Sequence, residues 1–267
     1  MTDGIPFETE STARDPAQTL GQLQGPHELH AAVLALLLPA QSQRARRAYA
    51  QEAAALPSAD ELLHDIDALP PGRRLGWLEQ MLQRMAGQSA DSRRALMESA
   101  RRVMGARGTV RAIDRLYWLV MRQRLGAPPR FGGGTSVDLA ALPAAEAAHL
   151  AAFTAHLARI VPDDAEDKPG HAAWYADAMA PWCEGRELPA WHAPDSEALV
   201  HAVQWLQSLT LMQRPVLVRQ WVDAAKRHSE HRRLLPGAAD ALRLTCTLLD
   251  SPMPPALEQH YATQPKA

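Results

Sequence analysis

PPGRRLGWLEQMLQRM, residues 70–85, decides the fold class. Leu75, Leu78, Leu82 and Met85 recur at steps of three and four, which is the spacing of one helix face and not of a strand. The proline pair suits a helix start, because the first turn has no use for the missing N–H. The same grammar continues on both sides. A helix is expected from His27 to Leu38, stopped by Pro39. Another runs from Ser42 to Leu56, and a third from Ser58, with Glu61 completing a capping box, to Leu69. Downstream, Ser89 or Asp91 starts a helix to Met104. The break "GARG" follows, and Thr109 opens a helix that ends near Gly126.

Composition agrees. The chain is 46% hydrophobic but only 5% aromatic, poor in β-branched residues and rich in good helix formers. The expected fold is therefore all-α. "APPRFGGGTSVDLAALP" (127–143) reads as a linker of prolines and glycines, and "VPDDAEDKPG" (161–170) as a second break. The expected organisation is a disordered segment at 1–25, a helical domain at 26–126 and a mobile linker at 127–142. A second helical domain follows at 143–262, then a tail at 263–267. The second domain holds a helix carrying Leu217, Val218, Trp221, Val222 and Ala225, and a last helix after Pro236 with Ala238, Leu242, Cys246 and Leu249 on one face. Between them in character is "APWCEGRELPAWHAPD" (180–195), an irregular loop pinned by aromatic rings. The stretches 68–85 and 208–225 align at an offset of 140, pairing Leu78 with Val218, Met81 with Trp221 and Leu82 with Val222. That pattern fits two diverged helical units.

Catalytic and metal motifs are near misses. His27, Glu28 and His30 fall one residue short of the H-E-x-x-H spacing that aims two imidazoles at one zinc, and no third ligand is recognisable. Beside Pro26 they read as helix-start residues. His228, Glu230 and His231 stand among Lys226, Arg227, Arg232 and Arg233, whose charge repels a dication. His64, Asp65 and Asp67 lack a nucleophile beside them. Gly134 is followed by Thr135 without the lysine a phosphate loop needs. No cofactor, metal or catalytic residue is expected. Cys183 and Cys246 are too few for a disulfide framework and read as reduced thiols of a cytoplasmic protein. The longest apolar run, Ala31–Leu38, is far short of the roughly 20 residues of a membrane span.

The net charge of −2 hides a polarity. Residues 84–124 hold ten arginines against Asp91, Glu98 and Asp114, a charge of +7, which leaves −9 elsewhere. At about 100° per residue, Arg111, Arg115, Trp118 and Arg122 share one face of the 109–124 helix. Val110, Ile113, Leu116, Tyr117, Val120 and Met121 take the opposite one. A tryptophan among arginines suits a protein partner or an anionic membrane surface. Nucleic acid is disfavoured, because the arginines lack interleaved aromatics and any recognisable module.

Three stretches, taken in order, resemble a known region: 25–54, where a leucine triplet is followed by an arginine-rich helix; 67–126; and "LPGAADALRLTCTLLDSPMPP" (235–255). They are similar to the cytosolic C-terminal extension of proteobacterial membrane zinc metallopeptidases of the HtpX-like, prenyl-protease-like group, with helical units reminiscent of TerB-like tellurite-resistance domains. The resemblance covers about two thirds of the chain and rests on helix patterns, not catalytic residues. One departure stands out. Where the family has an acidic "A-D-G" turn with a glutamate six residues after the glycine, this chain has Ala106, Arg107, Gly108 and then Asp114. The resemblance implies a non-catalytic, cytoplasmic interaction or regulatory module at the inner face of the membrane, partnered with a metallopeptidase. The alternatives are a C-terminal fragment of such an endopeptidase, and an unrecognised hydrolase.

Overall fold

The computed structural model of the chain describes residues 15–39, 42–126, 134–162, 170–183 and 186–262. Among them are thirteen α-helices, three single-turn 3-10 helices and no strand, so the fold is all-α. No described helix is long and apolar enough to cross a membrane. The first helix, α1 (Pro16–Gln22), is one that composition hid. Asp15 caps it by accepting from the Ala17 N–H at 2.9 Å, and Pro16 takes its first position. Leu20 is fully buried, and the Arg84 guanidinium bonds the carbonyls of Leu20 and Leu23 at 3.1 and 2.9 Å. The expectation of disorder over 1–25 thus fails for 15–25. Its remainder, 1–14, and the tail 263–267 lie outside the described residues.

Helix α2 (Pro26–Leu36) is the axis of the first half. Every side chain from Ala31 to Leu38 is buried, which marks a helix enclosed on all sides. Around it pack α3 (Gln43–Glu52), α4 (Ala59–Asp67), α5 (Pro71–Ala86) and α6 (Ala90–Gly105). The apolar stripe of α5 is buried as its spacing requires. Helix α7 (Ala112–Leu125) lies against α5 and α6. It starts three residues later than expected: Arg111 is the N-cap, its N–H held by the Asp114 carboxylate at 2.9 Å, and Val110 stays outside, more than half exposed.

The second half repeats this plan around α8 (Ala144–Ala158), buried almost throughout from Leu150 onward. Against it pack α9 (Gly170–Met179) and α10 (Ser196–Ser208). From α11 (Gln213–Arg227), Trp221 packs at a tilt against Phe153, ring centroids 5.4 Å apart, and donates its indole N–H to the Thr154 hydroxyl at 3.1 Å. The aligned positions 78 and 218, 81 and 221, 82 and 222 are all buried. Helix α12 (Pro236–Leu249) and the short α13 (Pro255–Ala262) close the chain.

The two halves are not separate bundles on a string. Helices α7 and α12 pack along one another, and the buried side chains form one continuous cluster. Polar ties cross the same boundary. The His156 ring, kept neutral by burial that pulls it down to about 3, places Nε2 3.1 Å from the Ala112 carbonyl. Arg115 donates to the Pro194 carbonyl at 3.2 Å. The connection between the halves is also tied down at several of its described residues. Thr135 donates its N–H to the Ser208 carbonyl at 2.7 Å and bridges Leu209. Gly134 runs so close that a Cβ there would stand 2.9 Å from the Thr210 Cα, and Leu142 is fully buried. Residues 134–142 are thus largely exposed, as expected of a linker, but held to Ser208–Leu209 and anchored at Leu142; residues 127–133 lie outside the described set.

The arginines account for much of the cohesion. A helix leaves its last carbonyls unpaired and carries partial negative charge at that end. Arg74 bonds the carbonyls of Ala35 and Leu38 at the end of α2, at 3.2 and 3.3 Å, and that of Ile66 in α4 at 3.4 Å. Arg93 takes Ala86 at the end of α5 at 3.0 Å. Arg214, only 5% exposed, bonds Gln207 and Leu209 at the end of α10 and Leu249 at the end of α12. A bond to a charged donor contributes about 1.5–3 kcal/mol net, so these clamps rank with the apolar core.

Candidate functional site

The expected partner-binding face is partly closed by the chain itself. Arg111 turns its guanidinium to Asp114 at 3.3 Å. Arg115 is engaged by Pro194. Trp118 is half-buried against the core, with the Arg101 guanidinium 5.0 Å from its ring centroid. Arg122 alone of the four points outward without a polar partner among the described residues. The wider arginine segment behaves likewise. Arg84 and Arg93 clamp carbonyls, Arg94 pairs with Asp91 at 2.9 Å, and Arg102 pairs with Glu52. The Arg102 guanidinium and the Ser99 hydroxyl hold the Glu52 carboxyl down to about 2 despite some burial. Arg107 bonds the buried Asp114 carboxylate, so the turn where the resembling family is acidic carries its own internal cation.

The histidines do not converge either. Among the described residues no three His, Cys, Asp or Glu side chains are grouped to hold a metal ion. Glu28 spends its carboxylate on the Gln24 and Gly25 N–H groups, at 3.1 and 3.0 Å, as a helix-start residue. His228 pairs with Asp177 at 3.2 Å, and Asp67 with Arg46 at 2.6 Å. The tryptophans serve as core and loop fasteners. Trp174 and Trp221 are fully buried, Trp191 leans on His171 with ring centroids 6.2 Å apart, and the Tyr175 hydroxyl ties the loop at the Pro189 carbonyl at 2.8 Å.

Beside a shallow concavity of about 510 Å3 at Asp60, Glu61, His64 and Asp65, a larger one lies elsewhere. A cleft of about 1100 Å3 opens between α5 and α12, bounded at one end by the start of α1 and at the other by α13. Ligand pockets commonly measure about 300–1,000 Å3. Its depth is polar and fully paired. Glu79 of α5 receives Arg243 of α12 at 3.1 and 2.6 Å on one oxygen, and the Thr247 hydroxyl at 2.9 Å on the other. Arg243 also lies over the Tyr261 ring, 4.6 Å from its centroid, and the Tyr261 hydroxyl donates to Asp240 at 2.8 Å. Gly76 makes room for the Arg243 side chain: a Cβ there would come within 3.3 Å of its guanidinium. Burial pushes the Asp240 carboxyl up to about 6 and the Cys246 thiol up to about 12. At neutral pH Cys246 is therefore a protonated, poor nucleophile.

The mouth of the cleft has a different character. Trp77 is half-buried, and Pro70, Pro252 and Met253 add apolar surface around it. The far wall, Ser251–Met253, is irregular backbone after the left-handed Asp250 that ends α12 at φ 48°. Sequence reasoning missed Glu79, Asp240, Arg243, Thr247 and Tyr261. One signal was present: a glycine inside a strong helical pattern marks a close approach, and Gly76 is that glycine. Comparison with protein-family models, with curated proteins and with solved structures returned no match.

Proposed function

We propose that this chain is a non-catalytic helical interaction module that works with a membrane metallopeptidase on the cytoplasmic side, and that the cleft between α5 and α12 is its binding surface. One observation carries the reading. The ionisable groups in the depth of the cleft are bonded to one another, while the aromatic and apolar groups at its mouth remain open. A site arranged this way positions a partner and supplies no base or nucleophile. The resemblance adds support, because two of the stretches that carry it, 67–126 and 235–255, hold the facing walls, α5 and α12 with the segment that follows it. The test is co-purification. The chain and the membrane metallopeptidase of its source cell, co-expressed and extracted in detergent, should elute together, and Trp77→Asp should weaken the complex. Separate elution, with no change in the peptidase's cleavage of a reporter protein, sinks the proposal.

A further inference from the structure

Charge does not choose an occupant for the cleft. Arg73, Arg124 and Arg243 on its walls are matched by Asp15, Glu79 and Asp250. Connectivity does choose one. The described chain begins at Asp15, and Asp15, Pro16 and Ala17 form one end of the cleft. That end is fixed in place: Asp15 caps α1, Leu20 is fully buried, and Arg84 holds the carbonyls of Leu20 and Leu23. Residues 1–14 are therefore tethered at a mouth where Trp77 and Met253 stand only partly covered.

The sequence of that segment, MTDGIPFETESTAR, suits the mouth. Ile5 and Phe7 are large and apolar, and side chains two apart on an extended chain face the same way. Pro6 between them favours extended backbone at Ile5. Phe7 stands eight residues before Asp15, and eight residues reach at most about 26–29 Å. The cleft follows α5 from Gly72 to Gln83, about 17 Å at the helical rise, so the tether is long enough. The other end of the described chain also meets the cleft, at Tyr261 and Ala262, but residues 263–267, TQPKA, carry no large apolar side chain. From this placement we infer that residues 1–14 fold back over the mouth of the cleft and seat Ile5 and Phe7 on Trp77 and Met253, so that the chain occupies its own binding surface and an outside partner must displace the segment. This rests on the reading of the cleft as the binding surface and adds its regulation.

The full chain with p-benzoylphenylalanine in place of Phe7 tests it by irradiation, with the cross-links located by mass spectrometry. They should form within one molecule, on residues 70–83 or 251–253. A fluorescein-labelled peptide of residues 1–14 then measures occupancy by fluorescence anisotropy. It should bind the full chain carrying Ile5→Ser and Phe7→Ser, whose cleft is vacated. It should bind the unmodified chain about tenfold more weakly, because a tethered competitor at about millimolar effective concentration outweighs a site affinity of about 0.1 mM by that factor. The same peptide with both serines should bind neither. Cross-links on other surfaces, or formed only between two molecules, overturn the inference. So does equal binding of the peptide to both chains. Cross-links in the cleft, with no peptidase co-purifying even with the doubly substituted chain, would uphold self-docking and remove the peptidase as partner. Co-purification that depends on Trp77, with cross-links elsewhere, would remove this inference and leave the binding-module reading standing.

Discussion

Replacing Arg214 by methionine removes the most buried of the carbonyl clamps at almost constant volume. The guanidinium bonds Leu209 at 3.0 Å, Leu249 at 3.0 Å and Gln207 at 2.5 Å, and burial lowers its own pKa only against an opposing pull from Asp250. Methionine fills the space but donates nothing, so carbonyls at the ends of α10 and α12 lose their charged donor. Part of the loss is offset, because the charged group no longer has to be desolvated. Leaving a buried carbonyl without its donor costs about 1–3 kcal/mol; three of them, less that offset, give about 3–5 kcal/mol, a fifth or more of the roughly 5–15 kcal/mol that holds a domain together. Lysine, with one compact ammonium, reaches fewer of the three oxygens and should recover about half. The assay is urea unfolding followed by circular dichroism, with the slope of the transition unchanged, so that the midpoint shift reports stability. A methionine variant within about 1 kcal/mol of the parent, a typical cost for an unremarkable substitution, would refute the claim that arginines at helix ends are structural here.

Asp240→Asn isolates a carboxyl that burial pushes up, to about 6. An acid whose folded pKa lies above its unfolded value binds more protons when folded, so its contribution falls as pH rises from about 4 to about 6 and stays low above that. The asparagine variant should match the parent near pH 4 and exceed it by about 2–3 kcal/mol at pH 7, since each pKa unit corresponds to about 1.4 kcal/mol; an equal gain at both pH values would contradict the assignment. Expressed alone, residues 15–126 and 134–262 should each lack a cooperative thermal transition, because α7 and α12 would each lose the partner that buries them. Two independently melting halves would restore the picture of separate bundles.

The helices were legible because their signals are local. Ser42 and Ser89 do cap α3 and α6 by accepting from the Ala45 and Ser92 N–H groups, and the prolines at 26, 71 and 236 open α2, α5 and α12. Errors arose where a distant group decides. Ser58 makes no capping bond, although α4 begins beside it. Helix α1, too short and polar to register, is held by Arg84 from sixty residues away. The start of α7 falls later than the pattern suggests because Asp114 is buried and captures the Arg111 N–H. The cleft was illegible for the same reason: Glu79 and Arg243 lie 164 residues apart in sequence, and neither stands in a motif. Above all, the arginine segment read as a surface waiting for a partner, because a guanidinium that meets main-chain oxygen leaves no complementary acid in the sequence to betray it.

That last feature bears on how the sequence can drift. A clamp onto a carbonyl does not depend on which side chain the carbonyl's residue carries. Substitutions at Ala35, Ala86 or Gln207 leave the oxygen in place, whereas almost any change at Arg74, Arg93 or Arg214 removes the donor. Mutational tolerance is therefore lopsided within each interacting pair, and no compensating change is ever required on the carbonyl side. Co-varying positions, the usual trace of a contact, are not generated by such bonds. In descendants of this chain, arginines set at a constant offset from helix ends should outlast the surrounding residues.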